Sequence, residues 1–240
     1  KHVIMLWVAA LTTVSLALYG TRIYRKSSNA QPKGISHLYE ILINFIRNDI
    51  VIPNIGISHS QRWTPLITTY FIFILTCNFL GLIPLFDLLP GGSSTVTGNF
   101  NATAGLATIT FFAIIIAGSK AHGFVQHWKN LVPSGVSKAI YPILIPIELM
   151  GMLVRPFALT MRLAANMTGG HIAILSILSF VFLFNDLFNS AAVGIGVGMM
   201  LSVPLAVGIS ALEIVVILVQ AYVFTLLTAV FVGMAINVHH

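Results

Sequence analysis

The chain has 240 residues, 57% of them hydrophobic and only 8% charged, whereas soluble domains carry about 25% charged residues. That composition excludes water as the main solvent and points to an all-α, polytopic membrane protein with room for about five spans. The net charge of +6 comes from lysines and arginines scattered at the ends of apolar runs, which excludes a nucleic-acid partner, and the single cysteine, Cys77, rules out a disulfide framework.

The first span is expected over residues 1–21, followed at once by Arg22, Arg25 and Lys26. By the positive-inside rule that end is cytoplasmic and the N-terminus lies outside. The apolar run is too long and too poorly flanked for a cleaved signal, and a chain opening on Lys1 is expected to be processed or part of a longer precursor. Residues 35–56 place Ile35, Leu38, Leu42, Phe45 and Ile46 at helical spacing, with Glu40, Arg47 and Asp49 between them. This pattern predicts an amphipathic helix on the inner surface.

Residues 64–118 hold the second and third spans, joined by "DLLPGGSSTVTGN" (87–99), which reads as an outer loop. Lys120, Lys129 and Lys138, with His122, His127 and Trp128, then fall on the inner side. Residues 139–237 form two long apolar arms divided by the polar "FNDLFNS" (184–190). Each arm exceeds the ~20 residues of a perpendicular span, so strong tilt, proline kinks or a further break must absorb the excess. The whole chain, 1–240, reads as a single membrane domain. The small residues opening the second arm allow close approach, by a helix of the same chain or by a neighbouring subunit.

After Lys138 only Glu148, Arg155, Arg162, Asp186 and Glu213 are acidic or basic. Such residues are costly inside a membrane and mark ion paths, relays or partners. Glu148, Arg155 and Arg162 follow at seven-residue spacing, nearly two turns, so they share a helix stripe, and Asn166 lies one turn further on. His171 is about half a turn round from Arg162. On the second arm, Glu213 and Gln220 share a stripe. Gln220 is expected to face either Arg162 or Asn166, and Glu213 to face His171, a pairing of imidazole and carboxylate suited to a proton relay. Plainer readings remain open: Glu148 and Arg155 as a pair snorkelling to head groups, His171 as an interhelical hydrogen-bonder, Asp186 as a solvated loop residue. His239 and His240 have no ligand spacing, and no metal or cofactor is expected.

The segment "ALTMRLAANM" (158–167) resembles the signature around the essential arginine of subunit a of F-type ATP synthases, also called subunit 6. "YPILIPIELMGMLVRPFAL", with Glu148 at the family's inner-channel acid, is similar as well. So are "LEIVVILVQAYVFTLLTAVFV" (212–232), "CNFLGLIPLF" and "TGNFNATAGLA". His171 and Glu213 stand exchanged relative to some bacterial members, which keeps one imidazole and one carboxylate.

The resemblance implies a non-catalytic subunit packed against a ring of c subunits, bound to peripheral-stalk subunit b and the rest of the F1Fo complex, and bathed in lipid. Protons would enter along Asn166, His171, Glu213 and Gln220, ride the ring and leave near Glu148. Arg162 would separate the two half-channels, since a guanidinium holds its charge and cannot hand a proton across. "SKAIYP" and "ANMTGGH" favour a bacterial inner membrane over a mitochondrial one. A proton- or cation-coupled secondary transporter is the alternative, but the two arms share no repeat. An intramembrane enzyme lacks any motif such as HExxH.

Overall fold

Without water in the hydrocarbon, backbone polar groups must be satisfied inside the segment that carries them, so a chain this apolar is driven into helices. A computed structural model describes residues 2–26, 34–82, 100–124, 126, 141–188 and 191–237, and among these there is no strand. The helices are α1 (His2–Lys26), α2 (Ile35–Phe45), α3 (Ile52–Ile55), α4 (Ile57–Leu82), α5 (Phe100–His122), α6 (Tyr141–Leu178), α7 (Phe180–Phe188) and α8 (Ala191–Ile236), with a π-helical stretch, Ile46–Val51, between α2 and α3. Five helical stretches are long and apolar enough to cross a membrane: Val3–Arg22, Ile57–Leu82, Phe100–His122, Phe157–Leu187 and Ile195–Ile236. The protein is an all-α polytopic membrane protein. The expected outer loop at 87–99 and most of the basic inner segment lie outside the described residues.

Hydroxyls within the spans follow the same rule as the backbone. Thr13 donates to the Ala9 carbonyl at 2.7 Å, Thr64 to Ser60 at 2.7 Å, Thr225 to Ala221 at 2.6 Å and Thr228 to Phe224 at 2.8 Å. Each bond runs one turn back along its own helix, so these side chains need no partner helix.

The amphipathic segment is helical throughout, with a π-helical insertion the pattern alone does not announce. The wider turn lets Ile46, Ile50, Val51 and Ile55 all point inward, each at most 1% exposed, while Arg47, Asn48 and Asp49 stay outside. Pro53 has no N–H for the ladder, and Asn54 Nδ2 donates to the Ile50 carbonyl at 2.7 Å. Tyr39 of α2 lies close over Gly20 of α1, and burial pushes its phenol above the ordinary value.

The core gathers around the second half of α8. Ala221, Phe224, Ala229 and Val232, all fully buried, pack with the π-helical isoleucines, with Trp63, Ile67 and Ile74 of α4, with Ala113 and Ala117 of α5, and with Leu159 of α6. Tyr70 of α4 meets Phe224 edge-on at 5.8 Å, an aromatic geometry favoured by the ring quadrupoles. The small residues on α8 are what let so many helices approach it. His122, at the end of α5, donates from Nε2 to the Ile236 carbonyl at 2.8 Å and caps α8's last turn.

The two arms divide between Phe188 and Ala191, within the expected segment, although residues 184–188, including Asn185 and Asp186, are helical rather than loop. A further break within the first arm falls at Ser179. There the hydroxyl donates to the Ser176 carbonyl at 2.6 Å, a back-bond that bends helices. Asp186 is exposed, on a helix instead of a loop. Of the glycines opening α8, Gly198 serves packing within the chain: a Cβ there would lie 2.8 Å from the Val181 Cα of α7. At 46 residues α8 is ~69 Å long, over twice a bilayer's hydrocarbon core, and Pro204 interrupts its ladder.

Gly198→Ala is therefore expected to force α7 off α8 and lower the thermal midpoint of the detergent-solubilised protein by several degrees. Gly196→Ala, where an added Cβ meets nothing within 4 Å, should leave it unchanged. Equal midpoints for the two variants would refute the close contact.

Candidate functional site

Long helices with few polar residues meet along a single seam. α6 and α8 run antiparallel: Asn166, Gly170 and Arg155 of α6 meet Gln220, Glu213 and Phe231 of α8, respectively. At its centre Asn166 Nδ2 donates to Gln220 Oε1 at 2.9 Å. The expectation that Gln220 faces either Arg162 or Asn166 is thereby resolved in favour of Asn166.

Glu213 is 6% exposed and Gln220 4%. A Cβ on Gly170 would lie 2.8 Å from Glu213 Oε1, so the glycine is what gives the carboxyl group its place against α6. The backbone of Glu148 and His171 lies on α6, while their side chains are outside the described residues. The group seated against α6 at Glu213's carboxyl is Gly170, next in the chain to His171.

The structure adds a residue that pattern reading passed over. Asn78, 2% exposed on α4, lines the same small cavity of about 10 Å³ as Asn166, Met167, Glu213, Val216, Ile217 and Gln220. A lone asparagine in the apolar run "ILTCNFLGL" was the available signal. Asn78 Oδ1, both carboxyl oxygens of Glu213 and Gln220 Nε2 are buried with no partner among the described residues. Unpaired polar atoms of this kind are costly, an unpaired carboxylate most of all. A single water in this cavity, donating to two of the three acceptors and accepting from Gln220 Nε2, would satisfy most of the set.

Arg162 lies one turn before Asn166 on the same stripe of α6, and both are exposed. Ala158, Ala165, Gly169, Ile172 and Ser176 are exposed as well, spaced with Arg162 at alternating steps of four and three. The arginine thus projects from a helix face that also carries alanines and a glycine, a surface that another helix can approach closely. A larger crevice of about 450 Å³ opens between α5 and α6, lined by residues such as Phe100, Phe111, Val154 and Phe157. Among the described residues no titratable group lines it, whereas Glu213 lines the small polar cavity. Among the described residues no cluster of His, Cys, Asp or Glu has metal-ligand geometry.

Residues 3–233 match the protein-family model described as ATP synthase A chain. The chain is 41% identical over 236 residues to ATP synthase subunit a 2 of Chlorobaculum tepidum, covering 98% of this chain and 62% of that protein. To ATP synthase subunit a of Chloroherpeton thalassium it is 39% identical, covering 98% and 66%. The Myxococcus xanthus subunit a is 38% identical, covering 100% and 73%. The chain thus spans roughly two thirds of the length of the relatives it matches.

Gln220→Leu removes the seam's hydrogen bond and should cost about 1 kcal/mol of stability. Asn78→Leu replaces an atom with no protein partner and should cost less, or stabilise. Denaturation of the two purified variants side by side checks this, and a larger loss for Asn78→Leu would contradict the assignment of partners.

Proposed function

The chain belongs to the ATP synthase A chain family, and from that premise we propose that it is the stationary proton-conducting subunit of an F-type ATP synthase. The observation that carries this reading is the placement of Arg162. It is exposed on a face of small residues, one turn from a buried seam of amides and a carboxyl group on the same helix pair.

Protons reach the seam from outside along His171, Glu213, Asn166 and Gln220, with Asn78 and a bridging water completing the path. Glu213 is the acid of this segment, seated against α6 at Gly170 and without a partner among the described residues. That is the state of a group whose partners come and go. From the seam the proton passes to a carboxylate on a neighbouring ring of c subunits, which packs on the Ala158–Arg162–Ala165–Gly169 face. The proton is released on the other side near Glu148.

Arg162 separates the two paths. Its fixed charge attracts an ionised ring carboxylate, so that the ring turns only when that carboxylate is neutralised by a proton. Because a guanidinium does not give up its proton, no direct leak runs through it. The subunit performs no bond chemistry itself. Its partners are the c ring, peripheral-stalk subunit b and the remainder of F1Fo, in a bacterial inner membrane, with no cofactor or metal.

Arg162→Ala is expected to abolish proton-driven ATP synthesis in inverted vesicles while the complex still assembles; normal coupled synthesis would sink the proposal. Glu213→Gln should slow proton entry from the outside far more than exit to the inside. Half-path measurements on ring-containing vesicles that found equal slowing would contradict the placement of the path.

A further inference from the structure

α5 and α6 touch without closing on each other. Phe100 meets Phe157 edge-on at 6.5 Å, and Thr160 reaches across to the Thr103 carbonyl at 3.4 Å. Beside these contacts lies the crevice of about 450 Å³. Its α5 wall runs from Phe100 through Ala104, Ala107 and Thr108 to Phe111, one face of the helix over three turns, or ~16 Å. The two phenylalanines stand at the ends of that wall, and the two alanines leave a trough between them. Val154, Phe157 and Thr160 supply the α6 side.

Among the described residues the only polar side chains in the lining are Thr108 and Thr160. Thr108 donates to the Ala104 carbonyl at 2.8 Å, one turn back, and Thr160 donates to Thr103. Each hydroxyl proton is already directed at backbone, so the lining offers a ligand no free side-chain donor. Water is held only where it finds two or more polar partners. Both helices contribute membrane-crossing stretches, Phe100–His122 and Phe157–Leu187, so the medium at the mouth of the crevice is hydrocarbon. Left empty, a space of this size would forfeit the dispersion contacts that a packed interior makes.

The dimensions select among apolar occupants. About 450 Å³ spread over ~16 Å leaves a section roughly 5 Å across. That is the width of one hydrocarbon chain, and about half of the ~10 Å that a helix with its side chains needs. We propose that the crevice is a binding site for a single acyl chain of a membrane phospholipid, whose headgroup stays outside it. The chain is a structural component, filling the gap between α5 and the part of α6 that leads into Arg162. Its preference for the crevice over bulk lipid comes from fit, because inside a bilayer both surroundings are equally apolar. The site requires only that α5 and α6 cross a membrane and stands apart from the proton path proposed above.

The test places the complete complex in nanodiscs of phosphatidylethanolamine whose acyl chain carries a mid-chain diazirine. After illumination, adducts are mapped by peptide mass spectrometry. Labelling at Thr108, Phe111 and Phe157 is expected to exceed that at Ile109, Phe112 and Ile116, exposed positions of α5 outside the crevice, by about threefold. Ala104→Trp fills the trough and should remove the excess, whereas Ile109→Trp should leave it in place. Should Ala104→Trp fail to assemble, Ala104→Leu carries the test with a smaller reduction.

Equal labelling inside and outside the crevice would overturn the site, as would an excess that survives the filling substitution. A photoreactive benzoylphenylalanine in place of Phe111 distinguishes the occupants. Capture of phospholipid is expected; capture of a protein segment in its place would refute the proposal. Labelling by a diazirine free fatty acid with none by the phospholipid would refute it as well.

Discussion

The seam between α6 and α8 depends on a single constraint: inside a membrane a polar atom must find its partner in protein. Most of the molecule meets it locally, through helical backbone bonds and through serine and threonine hydroxyls bonded one turn back, as at Thr13, Thr64 and Thr225. The exceptions stand out against that background. Among the described residues, Asn78, Glu213 and Gln220 keep buried atoms unpaired around one small cavity beside the Asn166–Gln220 bond, while the hydroxyls of Thr68, Ser119 and Ser202 are unpaired elsewhere. A stability-driven interior would have replaced such groups by apolar ones at little cost. Their gathering around a single cavity, carboxyl group included, sets this place apart from the unpaired hydroxyls elsewhere.

α8 is the element on which that site is built. Its inner half is a packing hub, with Ala221, Phe224, Ala229 and Val232 buried against four other segments and His122 capping its end. Its outer half carries Glu213, then runs on to Gly198, where α7 folds back over it. The same helix therefore anchors the fold at one end and holds the buried Glu213 carboxyl group toward the other. α6 complements it with Asn166 and Gly170 at the seam and Arg162 exposed one turn before Asn166, among small residues.

Much of this was legible in the chain itself. Five spans, the amphipathic segment after the first, and the candidates Arg162, Asn166, Glu213 and Gln220 follow from hydropathy, helical period and the rarity of charge in an apolar run. Asn78 was not singled out, because a lone asparagine in a span signals nothing about which helix it will face. The π-helical stretch was hidden because the sequence period fits an ordinary helix almost as well. At "FNDLFNS" local polarity suggested a loop where residues 184–188 are helical, and the further break at the back-bonded Ser179 carried no sequence signal of its own.

The sequence by itself determined which solvent surrounds the protein, how many helices it can form, and which side chains are too costly to be accidental. These depend on composition and on local periodicity alone. Only the tertiary structure decided that Gln220 meets Asn166, that Gly170 makes room for Glu213, and that Asn78 of α4 joins them at one cavity. Those are matters of register between helices distant in the chain. An apolar interface allows several registers of similar energy, and the choice among them is made by a few specific contacts whose partners no local pattern can name.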